Sequence, residues 1–76
     1  MSNVVQPQDM ERIMRPNYKK YELLRDKRKE TNYQVAVGAG ISRSTLSEWK
    51  DGKHEPELST IVKLADYFGV KIEELL

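Results

Sequence analysis

The sequence predicts an all-α domain of five short helices, and three observations predict it. Thr31 and Gln34 stand three apart, the capping-box spacing in which a hydroxyl and an amide satisfy each other's free backbone N–H groups at a helix start. Gly40, Gly52 and Gly69 each follow a stretch of helical spacing, where a glycine ends a helix without the steric cost of a Cβ. Ile61, Leu64, Ala65 and Phe68 repeat at i, i+3, i+4 and i+7, an amphipathic stripe that needs a core to face. With 76 residues the chain forms one domain with one small core, near the lower size at which a chain folds unaided.

Taken in order, residues 1–16 carry two prolines and no amphipathic repeat, and read as a flexible arm ahead of a domain spanning 17–76. Met10 offers an alternative start. Arg12 and Arg15 would let such an arm follow a nucleic-acid backbone or minor groove, against the plainer reading of disorder. The first helix is expected over Asn17 to Lys29, with Asn17 as cap, Tyr21 and Leu24 inward, and Leu23 and Arg28 packing part of their length. Thr31 caps a second helix from Asn32, with Val35, Ala36 and Ala39 inward; Tyr33 is expected to pack on the first helix, phosphate contact by its hydroxyl being the other reading. Ile41 anchors a turn, and Ser42 caps a third helix, Arg43 to about Asp51, with Leu46 and Trp49 on one side. Lys53 to Pro56 form a polar loop, and Pro56 suits the opening of a fourth helix that carries Leu58 and the stripe. After Gly69, Val70 plugs a corner and Lys71 to Leu75 give one or two further turns, with Ile72 and Leu75 inward and Glu73 and Glu74 near the favourable N-terminal end.

The stretch 31–52, TNYQVAVGAGISRSTLSEWKDG, thus reads as two short helices joined through a glycine, a helix-turn-helix whose second helix can enter the DNA major groove. Its pattern T-x-x-x-V-A-x-x-x-G-I-S-x-S-T-L-S-x-W-x-x-G resembles the Cro/C1-type (XRE) helix-turn-helix family of phage and bacterial transcriptional regulators. P-x-L-x-T-I-x-K-L-A-D-Y-F-G-V-x-I-E-E-L-L, from Pro56 onward, is similar to the last two helices of the same family, so the resemblance covers about Tyr18 to Leu76. It implies a five-helix, lambda-repressor-like DNA-binding domain. Two departures stand out. An arginine matching Arg25 commonly pairs in the family with a glutamate at the end of the recognition helix, and here that position is Lys50, so Glu48 or Asp51 must take over or the corner is built differently. Lys29 and Glu30 replace the family's usual glycine and apolar residue, which implies a less buried connection between the first two helices.

Composition narrows the function classes. There is no cysteine, hence no disulfide framework or thiolate metal site, and the apolar runs are too short for a membrane span or a signal peptide, which points to a soluble, cytoplasmic protein. Net charge is only +1. Its distribution is uneven: eight basic residues against two acidic from Arg12 to Lys29, and five acidic against two basic from Glu55 onward. One end suits phosphate, although ordinary solvated helix faces would look similar. Ser47, Asp51 and the single histidine, His54, are local neighbours without a triad's geometry, and no metal-ligand cluster or cofactor motif is present; an enzyme, a cofactor and a metal are not expected.

The DNA-facing residues follow from position. Ser42, at the helix start, and Asn32, through its amide, would hold phosphate. Arg43 can reach O6 and N7 of guanine with two donors, Ser44 can contact a base edge or a phosphate, and the Thr45 methyl can meet a thymine methyl. Ser47 permits close approach; Glu48 either accepts from cytosine N4 or pairs with a neighbouring cation; Lys53 suits a phosphate. Such regulators usually act as dimers on palindromic operators. Val70, Ile72, Leu75 and Leu76 are more apolar than one terminal helix needs and are the expected homodimer surface. The abrupt end at Leu76 fits either a complete small regulator or the DNA-binding domain of a longer chain. The rival function is a protein-interaction module, antitoxin-like or adaptor, on the same fold.

Overall fold

The computed structural model describes residues 15–76, and these form four α-helices and one 3-10 turn, with no strand among them. Helix α1 is Tyr18–Lys27, α2 Asn32–Ala39, α3 Arg43–Lys50 and α4 Leu58–Phe68; the 3-10 turn is Ile72–Leu75. The expected flexible arm, with Arg12, falls on residues outside this range except for its last two positions.

The first three helix starts are each capped by the residue the sequence favours. The Asn17 side chain accepts from the Lys20 amide at 3.3 Å, opening α1. Thr31 and Gln34 form the reciprocal capping box of α2, with Oγ1 accepting from the Gln34 amide at 3.1 Å and Oε1 accepting from the Thr31 amide at 2.9 Å. Pro56, expected to open the fourth helix, instead lies buried before it, and Glu57 is the N-cap without a side-chain bond. That leaves Leu58 overhanging the core, 66% exposed rather than inward.

Helix α1 ends two residues early, in a Schellman motif: the Lys29 amide donates to the Asp26 carbonyl at 3.0 Å and the Glu30 amide to the Arg25 carbonyl at 3.2 Å. This closure needs a left-handed residue, and it is Lys29, with φ of 56°, that adopts it. A lysine there carries the steric penalty that glycine avoids, about 1–2 kcal/mol, partly offset because glycine has more backbone freedom to lose on folding. Lys29→Gly is therefore expected to stabilise the domain by about 0.5–1 kcal/mol. A raised urea midpoint with an unchanged slope would show it, and a lowered midpoint would contradict it.

Glu30 does more than fill an apolar position. Its carboxylate accepts from the Tyr67 hydroxyl and stands 3.3 Å from Arg28 Nε, while Arg28 Nη1 donates to the Tyr67 carbonyl at 2.8 Å and the guanidinium lies 4.7 Å from the Tyr67 ring. The hydrogen bond to Glu30 raises the Tyr67 phenol above its usual range. The connection, expected to be less buried than usual, is pinned to the end of α4. Gly38 makes room for this arrangement, because a Cβ there would collide with the Tyr67 ring.

The core consists of Tyr21, Val35, Ala36, Leu46, Trp49, Ile61, Leu64, Ala65 and Leu75, and among the described residues no polar side chain is buried with them. Tyr18 and Tyr21 lie 5.2 and 5.3 Å from Trp49, centroid to centroid, and Phe68 lies 6.0 Å from Tyr21, so aromatic rings from α1, α3 and α4 share one cluster. Leu23, expected to pack in part, is 63% exposed. In place of a fifth α-helix, the 3-10 turn sends Leu75 fully into the core against α1 and α4, and the Leu75 carbonyl accepts from the Asn17 amide at 2.8 Å. This corrects the expected dimer surface: a side chain with no exposure has none to offer a second copy. Val70 and Ile72 are themselves partly buried against the core.

Candidate nucleic-acid interface

The pair α2 and α3 is held at its back and open at its front. Leu46 and Trp49 fix α3 to the core, as their three-residue spacing requires, and Val35 and Ala36 do the same for α2. Opposite them Arg43, Ser44, Ser47 and Lys50 are exposed on α3, as is Asp51 at its C-cap. Ser42 caps the helix, its Oγ accepting from the Ser44 amide at 3.2 Å and lying 2.7 Å from the Ser44 hydroxyl. The two hydroxyls therefore stand together at the N-terminal end of α3, where an anion is favoured.

Thr45 and Glu48 sit to one side, partly buried, and line a cleft with His54, Glu55, Pro56, Glu57 and Thr60. Glu48 has no ion pair among the described residues, so the reading in which a nearby cation neutralises it does not hold. Its main-chain carbonyl accepts from the Lys53 amide at 2.9 Å, closing α3 around Gly52, whose φ of 73° permits the turn. Lys53 is left exposed beside the end of the helix. Arg15 does not extend away from the domain: Nε donates to Glu55 Oε1 at 2.7 Å, an exposed pair that contributes little to stability.

The Arg25 corner is built differently, and the expectations for Asn32 and Tyr33 change. Arg25 turns neither to Glu48 nor to Asp51. It donates to Asp26 Oδ1 from Nε and Nη2, at 3.1 and 2.9 Å, and from Nη1 to Asn32 Oδ1 at 2.9 Å. Asn32 Oδ1 also accepts from the Tyr21 hydroxyl at 2.6 Å, and Nδ2 donates to the Tyr18 hydroxyl at 3.1 Å. Burial pushes the Tyr21 phenol well above its ordinary range, so it remains a donor. Asn32 is thus a junction between α1 and α2, and its amide is engaged inward rather than held out for phosphate. Tyr33, the next residue, is 57% exposed instead of packed on α1, and the Arg43 guanidinium carbon lies 5.0 Å from its ring centroid.

The family model described as helix-turn-helix matches residues 22–75 of this chain. The chain belongs to this family, the Cro/C1-type helix-turn-helix family. Among its relatives, an uncharacterized HTH-type transcriptional regulator of Methanocaldococcus jannaschii is 40% identical over 45 residues, covering 59% of this chain and 68% of that protein. The cryptic phage CTXphi transcriptional repressor RstR of Vibrio cholerae is 38% identical over 53 residues, 70% of this chain. The chain spans only 48% of that repressor's length. In fold, it matches the restriction-modification controller protein C.AhdI of Aeromonas hydrophila with a TM-score of 0.70 at 24% identity, over 78% of this chain and 89% of that one.

Within this helix-turn-helix protein, Tyr33 is the face residue that sequence reasoning placed elsewhere. Helical phase carried the signal: Asn32, Val35, Ala36 and Ala39 fall at i, i+3, i+4 and i+7, so Asn32 shares the inward stripe and Tyr33 is out of phase with it. None of the helices among the described residues is long and apolar enough to cross a membrane.

Proposed function

We propose that this domain binds double-stranded DNA in a sequence-specific way and acts as a cytoplasmic transcriptional regulator, a repressor of phage or mobile-element type. The observation that carries the reading is Arg43, exposed at the first position of the second motif helix, while Leu46 and Trp49 anchor the reverse of that helix. The family and the names of the phage repressor and the controller protein support it.

In this reading α3 lies in the major groove. Arg43 takes a guanine edge with two donors, Ser44, Thr45 and Ser47 meet bases or methyl groups at close range, and Glu48 accepts from cytosine or rejects a phosphate. Ser42 and Lys53 hold the backbone and set the register. Two copies on a palindrome place their α3 helices about 34–36 Å apart, joined through what Val70, Ile72 and Leu76 leave exposed.

Selection of the purified chain against random duplexes tests this. A palindromic motif should emerge, and binding should weaken as salt rises because phosphate contacts release counterions. Arg43→Ala should lose about 1–3 kcal/mol and relax preference at one base position. No enriched sequence, with equal weak binding by the variant, would transfer the fold to the rival class of protein-interaction modules.

A further inference from the structure

Five of the six aromatic residues in the described range, Tyr18, Tyr21, Trp49, Tyr67 and Phe68, contact another aromatic ring, and Tyr33 alone among them does not. It leaves a large ring 57% exposed in the first turn of α2, where it adds nothing to the core. What it meets is Arg43, ten residues on and across the turn, 5.0 Å from guanidinium carbon to ring centroid. Neither side chain has a hydrogen bond or ion pair with any other group among the described residues.

An exposed arginine at a helix start loses considerable rotamer freedom when its planar fork is fixed against a base. A ring beneath the guanidinium removes part of that freedom before DNA arrives, and contact through the face leaves the N–H edge available. We propose that Tyr33 is a specificity-determining positioning residue, holding Arg43 so that base discrimination is set by the pair rather than by Arg43 alone. The inference rests on the reading of α3 as the groove helix. It concerns how one base is told from another, whereas a tyrosine hydroxyl on a phosphate would strengthen binding to all sequences alike.

The test uses the selected duplex and its three variants at the base position that Arg43→Ala relaxes. Tyr33→Leu should reduce discrimination there by about two- to five-fold, the worth of one exposed cation–π contact, while Tyr33→Phe keeps it. In the Arg43→Ala background Tyr33→Leu should change discrimination no further. In the free protein, ring-current shifts of the Arg43 side-chain protons should be present in the wild type and Tyr33→Phe and absent in Tyr33→Leu, with the melting temperature nearly unchanged. Equal loss in the Phe and Leu variants, or an added loss in the double variant, overturns the proposal, because the tyrosine then acts on DNA by itself. Absence of the ring-current shift in the wild type overturns it independently of DNA. If the shift is present but the wild type enriches no sequence, the groove-helix reading is what fails, and the inference falls with it.

Discussion

Trp49→Ala is expected to abolish the cooperative melting transition. The indole is 5% exposed, packs edge-on to Tyr18 at 5.2 Å and lies 5.3 Å from Tyr21, so two rings lose their common neighbour at once. Truncating a buried aromatic costs about 3–5 kcal/mol, against a total stability of about 4–11 kcal/mol for a chain of this length. The cost here falls at the upper end, because Tyr18 and Tyr21 also carry the hydroxyls that hold Asn32, and rings free to move no longer keep that junction aligned. Circular dichroism against temperature and urea reads the outcome. Trp49→Phe, which retains a ring, should fold with a lowered midpoint. An alanine variant melting within a few degrees of the wild type would mean that the aromatic cluster does not organise the core.

Leu75→Ala is expected to lower stability by about 2–5 kcal/mol, the range for a fully buried leucine, and to do so at every protein concentration. That independence separates two views of the C-terminal segment. If Leu75 were a contact between copies, its loss would shift dissociation and leave the monomer's urea midpoint alone. With no exposure and with its carbonyl bound to Asn17, it should do the reverse. Leu76→Ala, altering a partly exposed neighbour, is the comparison and should move the midpoint far less.

The local signals in the sequence were strong where one residue type has one dominant use. Thr31 and Gln34 capped α2, Ser42 capped α3, and Gly40, Gly52 and Gly69 took the left-handed conformation after their helices. The spacing of Leu46 and Trp49, and of Ile61, Leu64 and Ala65, likewise placed them in the core. What was hard to read involves partners distant in sequence. Arg25 had Glu48 and Asp51 within reach on paper, and only the packing of α1 on α2 brings Asn32 to it and to the two phenols of its own helix. Glu30 implied a less buried connection, and only the arrival of Tyr67 from α4 shows what its charge is for, beside its near neighbour Arg28. Leu75 and Leu76 are chemically alike, and the tighter 3-10 turn decides which of them enters the core. Tyr33, expected to pack on the first helix, takes its exposed place from helical phase, which points outward.

The hydrogen bond from the Asn17 amide to the Leu75 carbonyl, 2.8 Å long, joins the entry of the folded unit to its exit. A polypeptide that enters and leaves at one corner resembles a bead on a thread, and longer chains can carry such a bead with little geometric adjustment at the splice. The same closure makes the two margins interdependent: pulling Leu75 out of register exposes the first amide ahead of α1, and lifting Asn17 strips a partner from the final turn. A pull on either margin would therefore strain both.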